Sequence, residues 1–380
     1  MVYFRPINKV RGAYCVKFVR DVESRSVSLR LRKAVTNASI DTHTVLTDDA
    51  FSYVDFWFKK NKRTITDAAG KKVEQNYAFY WEQSKNFYKA AKILPAESAP
   101  LPMYYCMLNA MKAYLLYNAK TYDDMKDSFN CHGLREGHTA QAAKLAEITV
   151  CRKKEGVFPR FLKMLNSEFD SLWKPKQDFS LMELLGQLPF VHSSYISTYN
   201  IPRREEVFIP LSAGECPTFR YTKDNKIHLT VNLDNGYFKK NAVELPNEIK
   251  AALPEQLMIN PDAHFQLVSK STFKKKDIPS VCDEYRAFFS YISAGKRLWY
   301  IKNLGSAKAT LGNLNTMVIE VAVMHRFSEI VRYKPEQMLK LLNSKENWLI
   351  HEFLSLALDQ FIDEIACEIT KQEIMPTRIK

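Results

Sequence analysis

The sequence predicts an α+β fold: predominantly an α-helical bundle, with a small β-rich insertion and a basic N-terminal strand region. Three observations predict it. Apolar residues recur at three- and four-residue steps from about Thr47 to Lys174 and again from Ser280 onward, the period of helices with a buried face. Between about Glu205 and Lys276 the texture changes to short alternating runs punctuated by Gly, Pro and Asn-Gly, as strands and turns require. Near the start, "VSLRLRK" alternates Val27, Leu29 and Leu31 with Ser28, Arg30 and Arg32, the period of two of a half-buried strand. A chain of 380 residues exceeds one simple compact unit. The expected layout is a basic strand region (1–46), an N-terminal helical domain (47–204), the β-rich insertion (205–276) and a C-terminal helical domain packed on the N-terminal helices (277–380).

Residues 1 to 33 carry nine Lys or Arg against only Asp21 and Glu23, so the first strand has a cationic outer face, either solvated or turned to a polyanion. In "TDDAFSYVDFWFKK", Thr47 with Asp48 and Asp49 supplies an N-cap and an acidic first turn. Across residues 73–94, Tyr77, Tyr80, Trp81, Ser84, Phe87, Tyr88, Ala91 and Leu94 form one broad aromatic face, which Pro95 and the "AESAP" linker end. "PLPMYYCMLNAMKAYLL" repeats the stripe with Leu101, Tyr104, Tyr105, Leu108, Met111, Leu115 and Leu116, so the two helices should pack as an antiparallel hairpin. "EEVFIPL", "CPTFRYT", "KIHLTVNL" and "AHFQLVSKSTF" read as strands of a small sheet. Helices return in "YRAFFSYISAGKRLWYI", "TMVIEVAVMHRFSEIVR", "PEQMLKLL" and "WLIHEFLSLALDQFIDEIACEIT".

The formal charge of +13 and pI near 9.2 favour a polyanion such as DNA or RNA, or a larger acidic protein partner. The seven cysteines are odd in number and scattered through apolar segments, as reduced buried thiols are. No run approaches 18 apolar residues, and "MVYFRPINKVRGAY" lacks the apolar core of a signal peptide. A cytoplasmic location without membrane contact is expected; the oligomeric state is not legible.

Catalytic and cofactor motifs are absent. The eleven glycines are dispersed, and no G-x-G-x-x-G or P-loop occurs, since "SAGKRL" has Ser290 at the upstream place. "HEFLS" puts Ser355 where a zincin needs its second His, and G-x-S-x-G and C-x-x-C do not occur. Cys131, His132, His138 and Cys151 could ligate zinc, but their spacing matches no common site. Asp234, Glu248 and Lys250 supply the letters of a PD-(D/E)xK nuclease, yet "ELPNEIKAALP" reads as a loop or short helix. The Arg-to-His spacing of helical HEPN ribonucleases fits neither Arg135 with His138 nor Arg220 with His228. No metal and no cofactor is expected. The basic clusters Lys59, Lys60, Lys62 and Arg63; Arg152, Lys153 and Lys154; Arg203 and Arg204; and Lys274, Lys275 and Lys276 join Arg30, Arg32 and Lys33 as candidate nucleic-acid contacts.

Three segments in order carry a resemblance. Pro100, Leu101, Tyr104, Tyr105, Leu108, Asn109 and Lys112 are followed by His132, Gly133 and Leu134, then by Arg332, Tyr333 and Pro335 before a long amphipathic helix. The chain resembles the YaaC-like protein family over roughly residues 75–370. That resemblance implies a mostly helical bacterial cytoplasmic protein and names no reaction; an antiviral defence setting is implied by analogy only.

Asn109 and Lys112 lie three apart on one helical face of an apolar run and need partners if buried. Glu82, His132 and Arg332 are the expected partners, either as a polar network fixing how the hairpin meets the C-terminal helices or as an anion-binding corner. Two function classes follow. The first is a non-catalytic binding or accessory subunit with a basic surface that contacts nucleic acid or a larger defence partner. The second is a helical nuclease or toxin-like effector with a non-standard site at His132, Arg332 and Lys112.

Overall fold

The structure is a computed structural model that describes residues 29–31, 44–66, 69–120, 129, 131–137, 144–166, 169–221, 226–238, 244–292, 298–302, 311 and 314–377. Most of the basic N-terminal region, including Arg32 and Lys33, lies outside these residues. Its strand β1 (Leu29–Arg30) is present. After β2 (Thr44–Leu46), helix α1 (Ala50–Lys60) begins two residues later than the cap pattern predicts: Asp49, not Thr47, is the N-cap, its carboxylate accepting the Ser52 N–H at 2.9 Å, while Thr47 Oγ1 accepts the Asp49 N–H and the first turn holds no acid.

A hairpin of β3 (Thr64–Thr66) and β4 (Lys72–Glu74) leads to α2 (Tyr77–Lys92) and α3 (Pro100–Asn118). These two helices form the expected antiparallel pair, with Ser84 donating to the Cys106 carbonyl at 2.9 Å and Phe87 stacked on Tyr105. The single stripe expected on α3 is exceeded: Met103, Cys106, Met107, Ala110, Ala113 and Tyr114 are also buried. Neighbours on several sides account for this, because α3 also packs against three later helices.

The region expected to be helical up to Lys174 also holds strands. β5 (Leu134–Glu136), β6 (Thr149–Arg152) and β7 (Asp178–Ser180) form an antiparallel sheet around α4 (Val157–Leu165) and α5 (Phe169–Leu172). Strands of three or four residues are too short to show a period of two. α6 (Leu181–Leu185), opened by the Ser180–Glu183 capping box, and α7 (His192–Tyr199) complete this half.

The β-rich part comprises β8 (Phe208–Pro210), β9 (Thr218–Tyr221), β10 (Ile227–Asn232), α8 (Asn247–Ala252), β11 (Leu257–Asn260) and β12 (Ala263–Ser269). Strands in the order β1-β9-β10-β12-β11 make an antiparallel sheet, so the N-terminal strand is its edge. The helix expected over "YRAFFSYISAGKRLWYI" is corrected. α9 (Ile278–Tyr285) stops there, and β13 (Phe289–Ile292) pairs with β14 (Leu298–Lys302), which pairs in turn with β8. Short aromatic and β-branched runs on either side of Gly295 favour a β-ribbon.

α10 (Thr316–Tyr333), α11 (Pro335–Leu342), α12 (Asn347–Thr370) and β15 (Glu373–Met375) finish the chain, with β15 parallel to β2. The class is α+β, but the helices interleave with small sheets instead of forming a separate bundle. One contiguous hydrophobic core runs from Leu31 to Ile374. Among the described residues no helix is long and apolar enough to cross a membrane.

Candidate anion-binding site

Helix α3 turns Tyr105, Asn109 and Lys112 to one side, at the i, i+4, i+7 spacing of a single face. Asn109 is nearly buried, and its Nδ2 donates to the Tyr105 carbonyl at 2.8 Å, within its own helix. Lys112 Nζ lies over the rings of Tyr80 and Phe129, 5.2 and 5.7 Å from their centroids. Glu82 does not join them. It is exposed, two residues or about 200° around α2 from Tyr80, and its charge acts on Asp55 of α1. The expected Glu82 partnership is therefore corrected.

His132 is placed by its backbone. Gly156 offers α4 no side-chain cap, and the free N–H groups of Val157 and Phe158 donate instead to the carbonyls of Cys131 (3.1 Å) and His132 (3.0 Å). The approach is so close that both flanking positions must be glycine. A Cβ on Gly133 (φ 88°) would sit 2.3 Å from Pro159 Cδ, and one on Gly156 (φ 125°) 2.7 Å from Gly133 Cα. The His-Gly-Leu triplet is thus a backbone device that fixes the His132 side chain.

That side chain meets Tyr104 (centroids 5.4 Å apart), Tyr105 (6.3 Å) and His325 of α10 (6.3 Å). His325 in turn packs edge-on against Tyr104 at 5.1 Å. Both are buried, and neither the Tyr104 hydroxyl nor His325 Nδ1 has a hydrogen-bond partner among the described residues. Glu329 Oε2 is 3.6 Å from His325 Nδ1, past hydrogen-bonding range, and is taken by Arg326. Glu136 of β5 accepts from both Arg326 and Lys334 at 3.0 Å. Arg332 is exposed with its guanidinium over Tyr333 (4.9 Å), and Lys153 is exposed just beyond β6.

The electrostatics follow. Burial, then Lys112, Lys153 and Arg332, hold the His132 pKa below the usual imidazole value. Burial, then His132, Arg326 and Lys153, push His325 down to about 3. Burial also lowers Lys112. Burial and the Glu329 charge raise Tyr104 above the usual phenol range. Five cations (Lys112, Lys153, Arg326, Arg332 and Lys334) thus face two carboxylates, which Arg326 and Lys334 already occupy. Lys112, Lys153 and Arg332 have no acidic partner among the described residues. All three lower the pKa of His132, which lies against His325 with 6.3 Å between ring centroids. The arrangement suits an anion.

Of the residues expected here, Lys112, His132 and Arg332 are brought together. Sequence reasoning missed His325, although a His-Arg pair and Glu329 inside an otherwise apolar helix was a signal. The basic clusters divide. Lys59, Lys60, Lys62, Lys154, Lys274, Lys275 and Lys276 are exposed. Arg63 packs on Tyr117 (4.4 Å) and donates to its carbonyl; Arg203 lies over Tyr237 (4.7 Å); Arg204 is near Glu205. Arg152 is corrected: only 2% exposed, it faces inward from β6 and its Nε donates to the Trp173 carbonyl, out of reach of a polyanion. Arg30 lies in β1. Lys250 sits on a helix and pairs with Glu244 at 2.9 Å. His138 lies outside the described residues, among which no group of three His, Cys, Asp or Glu could hold a metal.

No curated protein and no solved structure matches the chain. A family model described as YaaC-like Protein matches residues 47–369, a span that contains every residue of the site built above. The chain belongs to the YaaC-like protein family.

Proposed function

We propose that the protein binds nucleic acid through its phosphates, at the junction of α3, α10 and the His132 turn, without needing to turn it over. The carrying observation is that Lys112, Lys153 and Arg332 all act electrostatically on His132, beside which the Lys153 N–H donates to the Gly133 carbonyl at 2.9 Å, and that none of the three has an acidic partner among the described residues. Exposed Lys59, Lys60, Lys62, Lys154 and Lys274 to Lys276 add positive surface outside the site.

Binding of labelled RNA and DNA across a salt series tests this. Replacing Lys112, Lys153 and Arg332 together by Gln should weaken single-strand binding at least tenfold and reduce the logarithmic salt slope by about 2, the release expected for three phosphate contacts. Unchanged affinity and slope in the triple variant would overturn the proposal.

A second reading is favoured by one feature: a half-buried neutral imidazole beside a lysine whose proton is loosened by burial. His132 would take the proton of an RNA 2′-hydroxyl as that oxygen attacks phosphorus. The departing 5′-oxygen would take the proton of Lys112, leaving a 2′,3′-cyclic phosphate. The same samples on a denaturing gel decide it: cleavage of RNA but not DNA, abolished in folded His132→Ala, supports this reading, and intact RNA with the wild-type protein ends it.

A further inference from the structure

The α2 edge beside the cations carries a row of rings. Phe79, 59% exposed, lies 5.6 Å from Tyr80; Tyr80 lies 5.8 Å from Phe129; further along the hairpin, Phe87 stacks on Tyr105 at 5.3 Å. Tyr80, Phe87, Tyr105 and Phe129 are only half-buried. Lys112 sits over two of these rings, and His132 touches Tyr105, so the row and the anion site share an edge. From Tyr80 to Phe87, as from Lys112 back to Tyr105, is seven residues of helix, about 10 Å.

Resting on the phosphate-binding reading, we infer that the ligand is a single-stranded nucleic acid whose bases stack on the row containing Phe79, Tyr80 and Phe129 while its phosphates meet Lys112, Lys153 and Arg332. The exposed Phe79 ring and the outer faces of half-buried Tyr80 and Phe129, with Lys112 on their inner side, give a single strand both stacking and neutralisation. A duplex hides its base faces inside the stack and could use only the cations. An acidic peptide would satisfy the charges but gives no reason for a row of rings beside them.

The test measures anisotropy of labelled oligouridylate, oligodeoxythymidylate and a blunt duplex with the full chain, its Phe79→Ala variant and a Phe79→Ala/Tyr80→Leu variant. Phe79 is exposed, so its removal leaves the fold intact, and circular dichroism checks the double variant. Single-strand affinity should fall about 5- to 150-fold per ring with the salt slope unchanged, and the duplex should bind more weakly than the single strands and be indifferent to both changes. Wild-type single-strand affinity in both variants, or a preference for duplex, overturns the stacking inference while leaving the phosphate site standing. Failure of every oligonucleotide to bind wild-type protein at low salt overturns both.

Discussion

His325 is 3% exposed, with its Nδ1 unbonded, between Tyr104 and His132. The charges around it repel a proton: Arg326 from its own helix, Lys153 from the loop after β6, and His132 whenever that ring is protonated. Among the described residues Glu329, 3.6 Å from Nδ1, attracts one, and its carboxylate is held by Arg326. With the native pKa near 3 and a free imidazole near 6.5, the unfolded chain holds a proton between those values that the native state does not. The sign follows from the depressed pKa of a base. The neutral ring costs nothing above about pH 6.5, and stability falls by about 1.4 kcal/mol per unit as pH drops from there toward 3. His325→Phe keeps a ring against Tyr104 and removes the proton site. Urea unfolding should show the wild type losing about 2–3 kcal/mol more than this variant between pH 6.5 and 4.5. Parallel losses would mean that native His325 accepts a proton, and the cationic surroundings described here would be wrong.

Trp81 locks α2 onto α1. It is fully buried, its rings meet Phe51 at 5.0 Å and Phe58 at 6.4 Å, and its Nε1 donates to the Phe51 carbonyl at 3.1 Å, tying α2 to α1 while the other side of α2 packs on α3. Trp81→Ala should cost about 3–5 kcal/mol, the range of large aromatic deletions in packed cores, read as a lower denaturant midpoint at constant slope. A loss below about 1 kcal/mol would mean that α1 is not integral to the core. This hairpin was legible because its face repeats over four turns: Tyr77, Trp81, Ser84 and Ala91 are all buried as spaced, and only Leu94, past the helix end, is exposed. β13 and β14 were not. Their four and five residues carry no longer period, and pairing with β8 about ninety residues earlier decides their state. The site divides the same way. Lys112, His132 and Arg332 stood out in their segments, whereas His325 matters only because α10 crosses α3 at Tyr104, a contact that no local pattern announces. Arg152 misled for the complementary reason: a strand's inward register overrides what a basic triplet suggests.

At the scale of the molecule, distant segments close on each other. β15 pairs in parallel with β2, matching Ile374 to Val45; Met375 accepts the Thr47 N–H, and the Ile374 N–H is received by Cys367 Sγ. Leu31, next to the strand that edges the five-stranded sheet, belongs to the same hydrophobic cluster as Ile374, Trp81, and Phe219 and Leu229 of that sheet. If the cluster is one cooperative unit, helices and sheets must melt together although the chain is long enough for several independent domains. Ile374→Ala, at a fully buried position in the closing pair, should remove about 2–5 kcal/mol. The informative result is where that loss appears. Far-ultraviolet circular dichroism, dominated by the helices, and denaturant-dependent hydrogen exchange of amides in β10 and β12 should give one midpoint in the wild type and move together in the variant. Two midpoints, with only the helical one shifted, would show the β-rich part folding by itself, and the α3–α10 site would then owe its geometry to the helices alone.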